Sequence, residues 1–315
     1  MSSTLDEEPS RERSSNRADR RRTRLSGTRR ITVRILRDVV AIYLGLLTLL
    51  YSFQTRVIFP GASTQGQPFA EVQPRRDTEL VTLRTARGER VVALFGPAMT
   101  SDGRIDPDAA ARPTMIYFYG NAMCMSYAVA DLDRFRRLGL NVLIPDYVGY
   151  GMSGGSPSEK GCQATAEAAY DYLVSTRRVD PKTIVSAGWS LGGAVAIDLA
   201  SRRHVGGVIV FSTFTSGVEM ARRMLPFVPV SLLLRHRFES VQKIAKVRCP
   251  ILIGHGGRDP VIPFSMGKKL AASAAGPVST LWIEQAEHND FFEVGGRRVD
   301  EAIARFIAEY VHGAP

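Results

Sequence analysis

The pentapeptide at residues 188–192 (Gly-Trp-Ser-Leu-Gly) is the pattern in this chain best suited to covalent chemistry. The β-branched run before it, residues 184–187, predicts a buried strand, and the apolar residues after it predict a helix. A serine on the tight turn between such a strand and helix is exposed above the sheet, so Ser190 can attack a carbonyl carbon. Gly188 and Gly192 lack the Cβ atoms that would collide where strand and helix pass closely.

A second Gly-x-Ser-x-Gly match surrounds Ser153, at residues 151–155. It lies in a glycine-rich loop, no strand runs directly into it, and Pro157 follows shortly after, which favours a turn. We therefore interpret Ser153 as a loop residue and Ser190 as the nucleophile.

A serine becomes a good nucleophile only when a base takes its proton and a third group orients that base. Where the nucleophile lies on a turn from strand to helix, the chain order is serine, acid, histidine. Asp259 and His288 fit that order, and each follows a predicted strand. The sequence therefore predicts a triad of Ser190, Asp259 and His288.

Other residues compete for these roles less well. Asp290 is the alternative acid, although it lies only two residues from His288. The remaining histidines lie at a helix end, in a connecting segment, near the terminus or at a strand end: His204, His236, His312 and His255. We interpret His255 as structural.

Strand and helix patterns alternate through most of the chain. Predicted strands cover residues 79–85, 90–95, 114–119, 141–145, 183–187, 205–211, 250–254 and 278–284. Predicted helices cover residues 123–138, 157–176, the stretch after Ser190, 263–275 and 299–312. This alternation predicts an α/β fold with a mostly parallel sheet flanked by helices, and a ligand site at the carboxyl ends of the strands. The residues that come shortly after predicted strands are Asn121, Asp146, Ser190, Asp259 and His288.

Two further segments are expected to complete the site. The oxyanion of an acyl-transfer reaction needs two N–H donors, and we expect one from Leu191 and the other from Asn121 or Ala122. Residues 213–247 contain an apolar stretch with two prolines that is not followed directly by a predicted strand. We expect this segment to form a small helical cap that lines the acyl-binding side. A plain connecting helix is the alternative.

The net charge of +10 is concentrated at the beginning of the chain, where residues 1–38 hold eleven Arg and six acidic residues. Residues 1–34 are predicted to form a disordered basic tail. The remainder contains no nucleic-acid-binding motif, so we expect no nucleic-acid partner. Three distant cysteines, Cys124, Cys162 and Cys249, indicate neither a disulfide framework nor a metal site, and are expected to pack as small apolar residues.

Residues 35–59 contain an apolar run, 39–53, which predicts a membrane anchor helix that contacts lipid. The arginines before it place the N-terminus in the cytoplasm and the catalytic domain, residues 60–315, on the outside of a single-pass protein. An interfacial helix with a wholly cytoplasmic protein, and a cleaved signal, remain alternatives. A twin-arginine signal at Arg21-Arg22 is disfavoured because apolar residues do not follow closely.

Taken together, these motifs resemble the α/β-hydrolase superfamily, in its small membrane-anchored serine hydrolase branch with esterase-like and acyl-protein thioesterase-like members. The resemblance covers about residue 54 to the end and is carried by residues 53–60, 119–122, 146–159, 188–193, 255–259 and 288–290. Two positions depart from the family pattern. Tyr119 replaces the His of a His-Gly-Asn motif, and Val148 replaces the Arg of an Asp-Tyr-x-Gly-Tyr-Gly motif.

The residues and the resemblance predict a hydrolase that cleaves carboxylic esters or thioesters through an acyl-enzyme on Ser190, with no cofactor and no metal. The same triad could serve a peptidase or amidase. A third alternative is a hydrolase-fold binding module without activity, which the intact triad disfavours.

Overall fold

The described strands form one eight-stranded sheet in the order β1-β2-β4-β3-β5-β6-β7-β8. The computed structural model describes residues 8–100 and 102–311, and side chains from residue 32 onwards. The strands are β1 Glu79–Arg84, β2 Arg90–Gly96, β3 Thr114–Phe118, β4 Asn141–Pro145, β5 Ile184–Trp189, β6 Gly207–Phe211, β7 Ile251–Gly256 and β8 Val278–Ile283. The β1–β2 and β2–β4 pairs are antiparallel, and all other neighbouring pairs are parallel. The prediction of a mostly parallel sheet is confirmed.

The helices fill the connections between the strands. They are α1 Glu8–Ile58, α2 Val129–Arg137, α3 Glu159–Asp171, α4 Leu191–Ala200, α5 Gly217–Met224, α6 Val230–Leu233, α7 Ser240–Ile244, α8 Phe264–Ser273 and α9 Phe291–Tyr310. The last helix begins at Phe291, eight residues before the predicted start at residue 299. Gly296, at φ 43° and ψ −126°, joins two helical stretches there, because glycine tolerates a positive φ that other residues resist.

The central strands are buried on both faces. Every residue of β3, β4 and β6 is buried, so helices must cover the sheet on each side. Cys124 and Cys162 are buried and Cys249 is half-buried, and all three thiols are free, as expected of small apolar residues.

Strands β3 to β8 run parallel to one another, so their carboxyl ends meet at one edge of the sheet. We call it the carboxyl edge.

The segment expected to form a cap, residues 213–247, contains three short helices, α5, α6 and α7. Two backbone hydrogen bonds close it at its base: the Gly217 N–H donates to the Arg237 carbonyl at 2.6 Å, and the Val241 N–H donates to the Thr215 carbonyl at 2.9 Å. The excursion therefore leaves the sheet after β6 and returns before β7. Its expected role in lining an acyl site stays a prediction.

The chain divides into two compact units, Met1–Phe53 and Gln54–Pro315. Residues 8–34, predicted to be a disordered tail, belong to helix α1, and residues 1–7 of that tail lie outside the described residues. Arg, which is frequent there, favours helix.

The predicted membrane-spanning anchor at residues 35–59 is not supported, because no helix within the described part of the chain is long and apolar enough to cross a membrane. The physical reason lies in the length of the apolar run, about 22 Å as a helix against a hydrocarbon core of about 30 Å. Charged side chains also flank the run, and Arg37 and Asp38 form an exposed ion pair with an N–O distance of 2.8 Å. The extracytoplasmic placement of the catalytic domain stays a prediction.

Candidate active site

Ser190 lies on a strained turn between β5 and α4. Its backbone has φ 57° and ψ −117°, a conformation that costs free energy for a residue with a side chain. The surrounding backbone holds it there, since the Ser190 N–H donates to the Phe211 carbonyl at 2.9 Å and the Ser190 carbonyl accepts from the Thr213 hydroxyl at 2.7 Å. The strain projects the Ser190 hydroxyl away from the sheet.

Glycines allow the strand and helix of this turn to touch. A Cβ atom at Gly188 would collide with the backbone of Gly192, and one at Gly192 would collide with the carbonyl of Phe118 on β3. Because these obstacles are backbone atoms, they cannot move aside as a flexible side chain can. The expected mechanical role of both glycines is therefore visible in the packing.

The structure brings together the three residues expected to form a triad. His288 Nε2 lies 3.0 Å from Ser190 Oγ, and His288 Nδ1 lies 2.7 Å from Asp259 Oδ2. When Nδ1–H donates to Asp259, Nε2 is left to accept the Ser190 hydroxyl proton. All three side chains are buried to nine-tenths or more of their surface, and the indole ring of Trp189 lies against the His288 imidazole with 5.0 Å between centroids. The arrangement can transfer a proton from Ser190 to His288.

Asp259 is held as a carboxylate. Burial by itself opposes ionisation, but hydrogen bonds from His255, His288 and the Ile262 N–H outweigh it and lower the pKa of the Asp259 carboxyl below its usual value. Its Oδ1 accepts from the backbone N–H groups of Val261 and Ile262 at 2.9 and 2.7 Å, which leaves Oδ2 for the histidines. A fixed negative charge beside His288 can stabilise an imidazolium at that position.

His255 is a site residue whose place in the site was missed when it was interpreted as structural. It is fully buried, its Nε2 lies 2.9 Å from the Ile262 carbonyl oxygen, and the same nitrogen lies 3.3 Å from Asp259 Oδ2. The described residues provide no hydrogen-bond partner for its Nδ1. Gly267 makes room for the ring, because a Cβ there would collide with it. The four-residue spacing from His255 to Asp259 was the available signal.

The expected oxyanion donors follow β5 and β3 on the carboxyl edge. Leu191 is the first residue of α4, where backbone N–H groups have no partner within the helix. Of the two alternatives after β3, the Ala122 N–H donates to the Asn121 side-chain oxygen at 3.1 Å, whereas the Asn121 N–H makes no hydrogen bond to any described residue. The geometry favours Asn121 as the second donor.

The side chain of Asn121 is tied down from two sides. Its amide nitrogen donates to the Ile58 carbonyl at 2.5 Å, and its oxygen accepts from the Tyr150 hydroxyl at 2.8 Å. Directly before this loop, Gly120 passes under Trp189, and a Cβ there would collide with the indole ring. The loop is thus rigid at the point where a substrate oxygen would approach it.

Tyr119, which replaces a family histidine, has a clear structural partner. Its hydroxyl donates to Asp146 Oδ1 at 2.8 Å, and Asp146 also accepts from the backbone N–H groups of Met125 and Met152, both at 2.7 Å. Burial raises the pKa of the Asp146 carboxyl, although these hydrogen bonds oppose the shift. Asp146 follows a strand, as expected, but its contacts join the loops after β3 and β4 rather than the triad.

Two alternative residues have other partners. The Ser153 hydroxyl donates to the Asp146 carbonyl at 2.8 Å and accepts from the Val92 N–H at 3.0 Å, so it fastens a buried loop. Asp290 Oδ1 accepts from the Glu287 N–H at 2.6 Å and thereby closes the turn that carries His288. No cluster of three or more His, Cys, Asp or Glu side chains in the described parts of the chain could hold a metal ion.

Comparisons with known proteins identify a matching family model and several relatives of the chain. A family model described as the dienelactone hydrolase family matches residues 152–288. An uncharacterized protein of Mycobacterium tuberculosis (strain CDC 1551 / Oshkosh) is 35% identical over 266 residues, which is 84% of this chain and 91% of the relative. The alpha/beta hydrolase domain-containing protein 17B of Homo sapiens is 32% identical over 232 residues, which is 73% of this chain and 75% of the relative.

Solved structures share the fold at lower sequence identity. The Pyrococcus furiosus esterase Pf2001 superposes with a TM-score of 0.60 at 18% identity, covering 76% of this chain and all (100%) of that one. A puromycin-hydrolyzing peptidase of Mycobacterium tuberculosis superposes with a TM-score of 0.62 at 18% identity, covering 76% of this chain and 41% of that one. At such identities the likeness establishes the fold alone.

Proposed function

The chain belongs to the α/β-hydrolase superfamily, in the family of the alpha/beta hydrolase domain-containing 17 proteins, and on that premise we propose that it is a serine hydrolase of carboxylic esters or thioesters. One observation carries the proposal: Ser190, His288 and Asp259 form a continuous hydrogen-bonded chain that begins on a strained turn. Strain of this kind is retained when the surrounding structure holds a reacting group in place.

Acylation proceeds through proton transfer and nucleophilic attack. His288 Nε2 takes the hydroxyl proton as Ser190 Oγ bonds to the substrate carbonyl carbon, and the carbonyl oxygen becomes an oxyanion. The N–H groups of Leu191 and Asn121 donate to that oxyanion. The imidazolium then gives its proton to the leaving alkoxide or thiolate as the bond from carbon to the leaving group breaks, which leaves an acyl-enzyme on Ser190.

Deacylation repeats these steps with water as the nucleophile. His288 takes a proton from water, the hydroxide attacks the acyl carbon, and the proton returns to Ser190 Oγ as the acid is released. Asp259, kept ionised by its hydrogen bonds, faces the imidazolium in both halves of the cycle. The side chains and backbone of the protein supply every group in this sequence apart from the substrate and the water.

A panel of substrates tests the class of bond that is cleaved. We expect turnover of aryl esters of increasing chain length and of a palmitoyl thioester, with little turnover of a peptide anilide, because the amide leaving group is much poorer. Labelling by a fluorophosphonate probe, mapped to the peptide that contains Ser190, accompanies the panel. Dominant anilide turnover would assign the protein to the peptidases, and the absence of both labelling and turnover would assign it to binding modules.

His255 should act as a positioning residue for Asp259. The substitution His255→Leu, a change of similar size, removes the imidazole nitrogen that lies 2.9 Å from the Ile262 carbonyl oxygen and 3.3 Å from Asp259 Oδ2. A hydrogen bond to a charged group typically contributes about 1.5–3 kcal/mol, and the longer distance to Asp259 places its effect at the lower end. We expect kcat/KM for an aryl ester to fall about tenfold, as 1.4 kcal/mol corresponds to a factor of ten, with the loss in kcat rather than in KM. A loss of melting temperature with an unchanged kcat at a temperature where the variant is folded contradicts the positioning role.

A further inference from the structure

Large apolar side chains on the outside of the cap face the solvent. We define the cap tip as residues 224–232, the connection from the end of α5 into α6. Four side chains within it are exposed by 73%, 40%, 89% and 83%: Met224, Leu225, Phe227 and Leu232. Exposed apolar residues scattered singly are ordinary, whereas four of them within one nine-residue connection indicate an interaction surface.

The backbone of the cap tip holds these side chains outward. The Val228 N–H donates to the Leu225 carbonyl at 3.1 Å, and the Leu232 N–H donates to the Pro229 carbonyl at 3.0 Å. Val230 is buried and fastens the middle of the segment to the domain. The exposure therefore results from an ordered turn with a single inward-facing residue.

Positive charge borders the cap tip. Arg222 and Arg223 are exposed in the last turn of α5, directly before it. Glu219, the one acidic residue in residues 217–235, is already paired with Lys269 at 2.9 Å. An apolar surface bordered by arginines is complementary to a lipid surface that carries negative headgroups.

The cap tip is linked to the edge of the sheet that carries Ser190. Its chain leaves β6 at that edge, and the Thr213 hydroxyl donates to the Ser190 carbonyl at 2.7 Å. The loops after β3 and β7 add exposed apolar side chains at the same edge, namely Tyr127 at 53% and Val261 at 49%. The excursion that carries the cap tip thus begins beside Ser190, at the carboxyl edge.

We propose that the cap tip rests on a bilayer that contains anionic lipid, with its apolar side chains among the acyl chains and Arg222 and Arg223 at the headgroups. The membrane then presents lipid-anchored acyl esters or thioesters to the carboxyl edge. This delivery of substrate rests on the proposed hydrolase function, whereas the membrane contact does not.

A tryptophan placed in the cap tip tests the contact locally. The full chain also carries the apolar run 39–53, so co-sedimentation with vesicles alone would not assign the contact to the cap. We therefore compare Leu232→Trp with Ile105→Trp, a control at a less exposed apolar side chain (49%) in the loop before β3, at the opposite edge of the sheet. Vesicles of brominated phosphatidylcholine and phosphatidylglycerol should quench the added emission of Leu232→Trp and leave that of Ile105→Trp unchanged, with wild type supplying the background of Trp189 and Trp282.

Three outcomes would overturn the proposal. The first is no quenching of Leu232→Trp while the protein sediments with vesicles, and the second is equal quenching at both positions. The third is a blue shift that grows with protein concentration without vesicles, which would assign the cap tip to a second copy of the chain. Quenching of Leu232→Trp that persists undiminished without phosphatidylglycerol would overturn the claim that the contact requires anionic lipid. Quenching that persists undiminished after Arg222→Gln with Arg223→Gln would overturn the role of the two arginines. The readout needs no turnover and can be repeated with Ser190→Ala, so its failure is separate from failure of the hydrolase proposal.

Discussion

Ser190→Ala should lower kcat for aryl esters by on the order of 10⁶-fold, the loss typical when the nucleophile of a serine triad is removed. No other described hydroxyl forms a hydrogen bond with His288 Nε2, so no substitute nucleophile is in place. Fluorophosphonate labelling should disappear as well. The measurement is steady-state hydrolysis together with a melting temperature, which should stay near that of wild type because alanine fits the same turn.

Ser153→Ala is the matched control for this experiment, since Ser153 occupies the other Gly-x-Ser-x-Gly pentapeptide. The substitution removes hydrogen bonds to Val92 and Asp146 in a buried loop, so a loss of stability of about 1 kcal/mol per bond is expected. Labelling and kcat should remain close to wild type at a temperature where the variant is folded. A loss of labelling in the folded Ser153 variant would show that the nucleophile has been assigned to the wrong serine.

Asp259→Asn should lower kcat roughly 10⁴-fold with little change in KM, the effect typical of replacing the triad carboxylate. The amide keeps the shape of the side chain, but its N–H group facing His288 Nδ1 favours the tautomer with hydrogen on Nε2. That tautomer cannot accept the Ser190 proton. Hydrolysis of a short aryl ester, measured by stopped flow for the single-turnover step, checks the prediction.

Asp290→Asn serves as the control for the acid. Asp290 accepts from the Glu287 N–H, and an asparagine oxygen can do the same, so activity should stay within a few-fold of wild type. If the Asp290 variant were the inactive one and the Asp259 variant active, the acid would be Asp290.

A comparison of wild type with Asp259→Asn also tests how the charge of Asp259 contributes to the stability of the fold. Its pKa is lower in the folded than in the unfolded state, so its charge stabilises the fold above the unfolded value of about 3.9, and that contribution is lost as the pH falls through the folded value. The difference in unfolding free energy between wild type and Asp259→Asn should therefore be full at neutral pH and shrink below about pH 4. Urea denaturation at a series of pH values measures it, and a difference that grows on acidification contradicts the assignment of the shift.

Local patterns predicted much of the fold. The alternation of strand and helix patterns located all eight strands. The signal is strongest for the central strands, because burial on both faces demands a continuous apolar run. The predicted boundaries of the helices and strands were less accurate where the backbone departs from regular geometry. The start of α9 was set eight residues late since a helix continuing through Gly296 at positive φ leaves no ordinary periodic signal.

The N-terminal segment shows the limit of composition as a guide. A charged, arginine-rich stretch was interpreted as a disordered tail and the apolar run as a membrane anchor, whereas the described residues from Glu8 form one helix with no apolar stretch long enough to cross a membrane. The composition of a segment indicates how much apolar surface it can bury. It does not capture the helix propensity of arginine, nor the few residues by which an apolar run falls short.

By itself the sequence determined the turn that carries Ser190 and the order of Ser190, Asp259 and His288 at three strand ends, because those features depend on local spacing and on the topology that alternating elements impose. The tertiary structure decided the contacts that join distant loops. These are the hydrogen bond of Tyr119 to Asp146, the hydrogen bond of the Ala122 N–H to the Asn121 side chain, and the approach of His255 to Asp259. Each depends on side-chain directions and ångström-scale distances between loops, which a linear pattern of residue types does not specify.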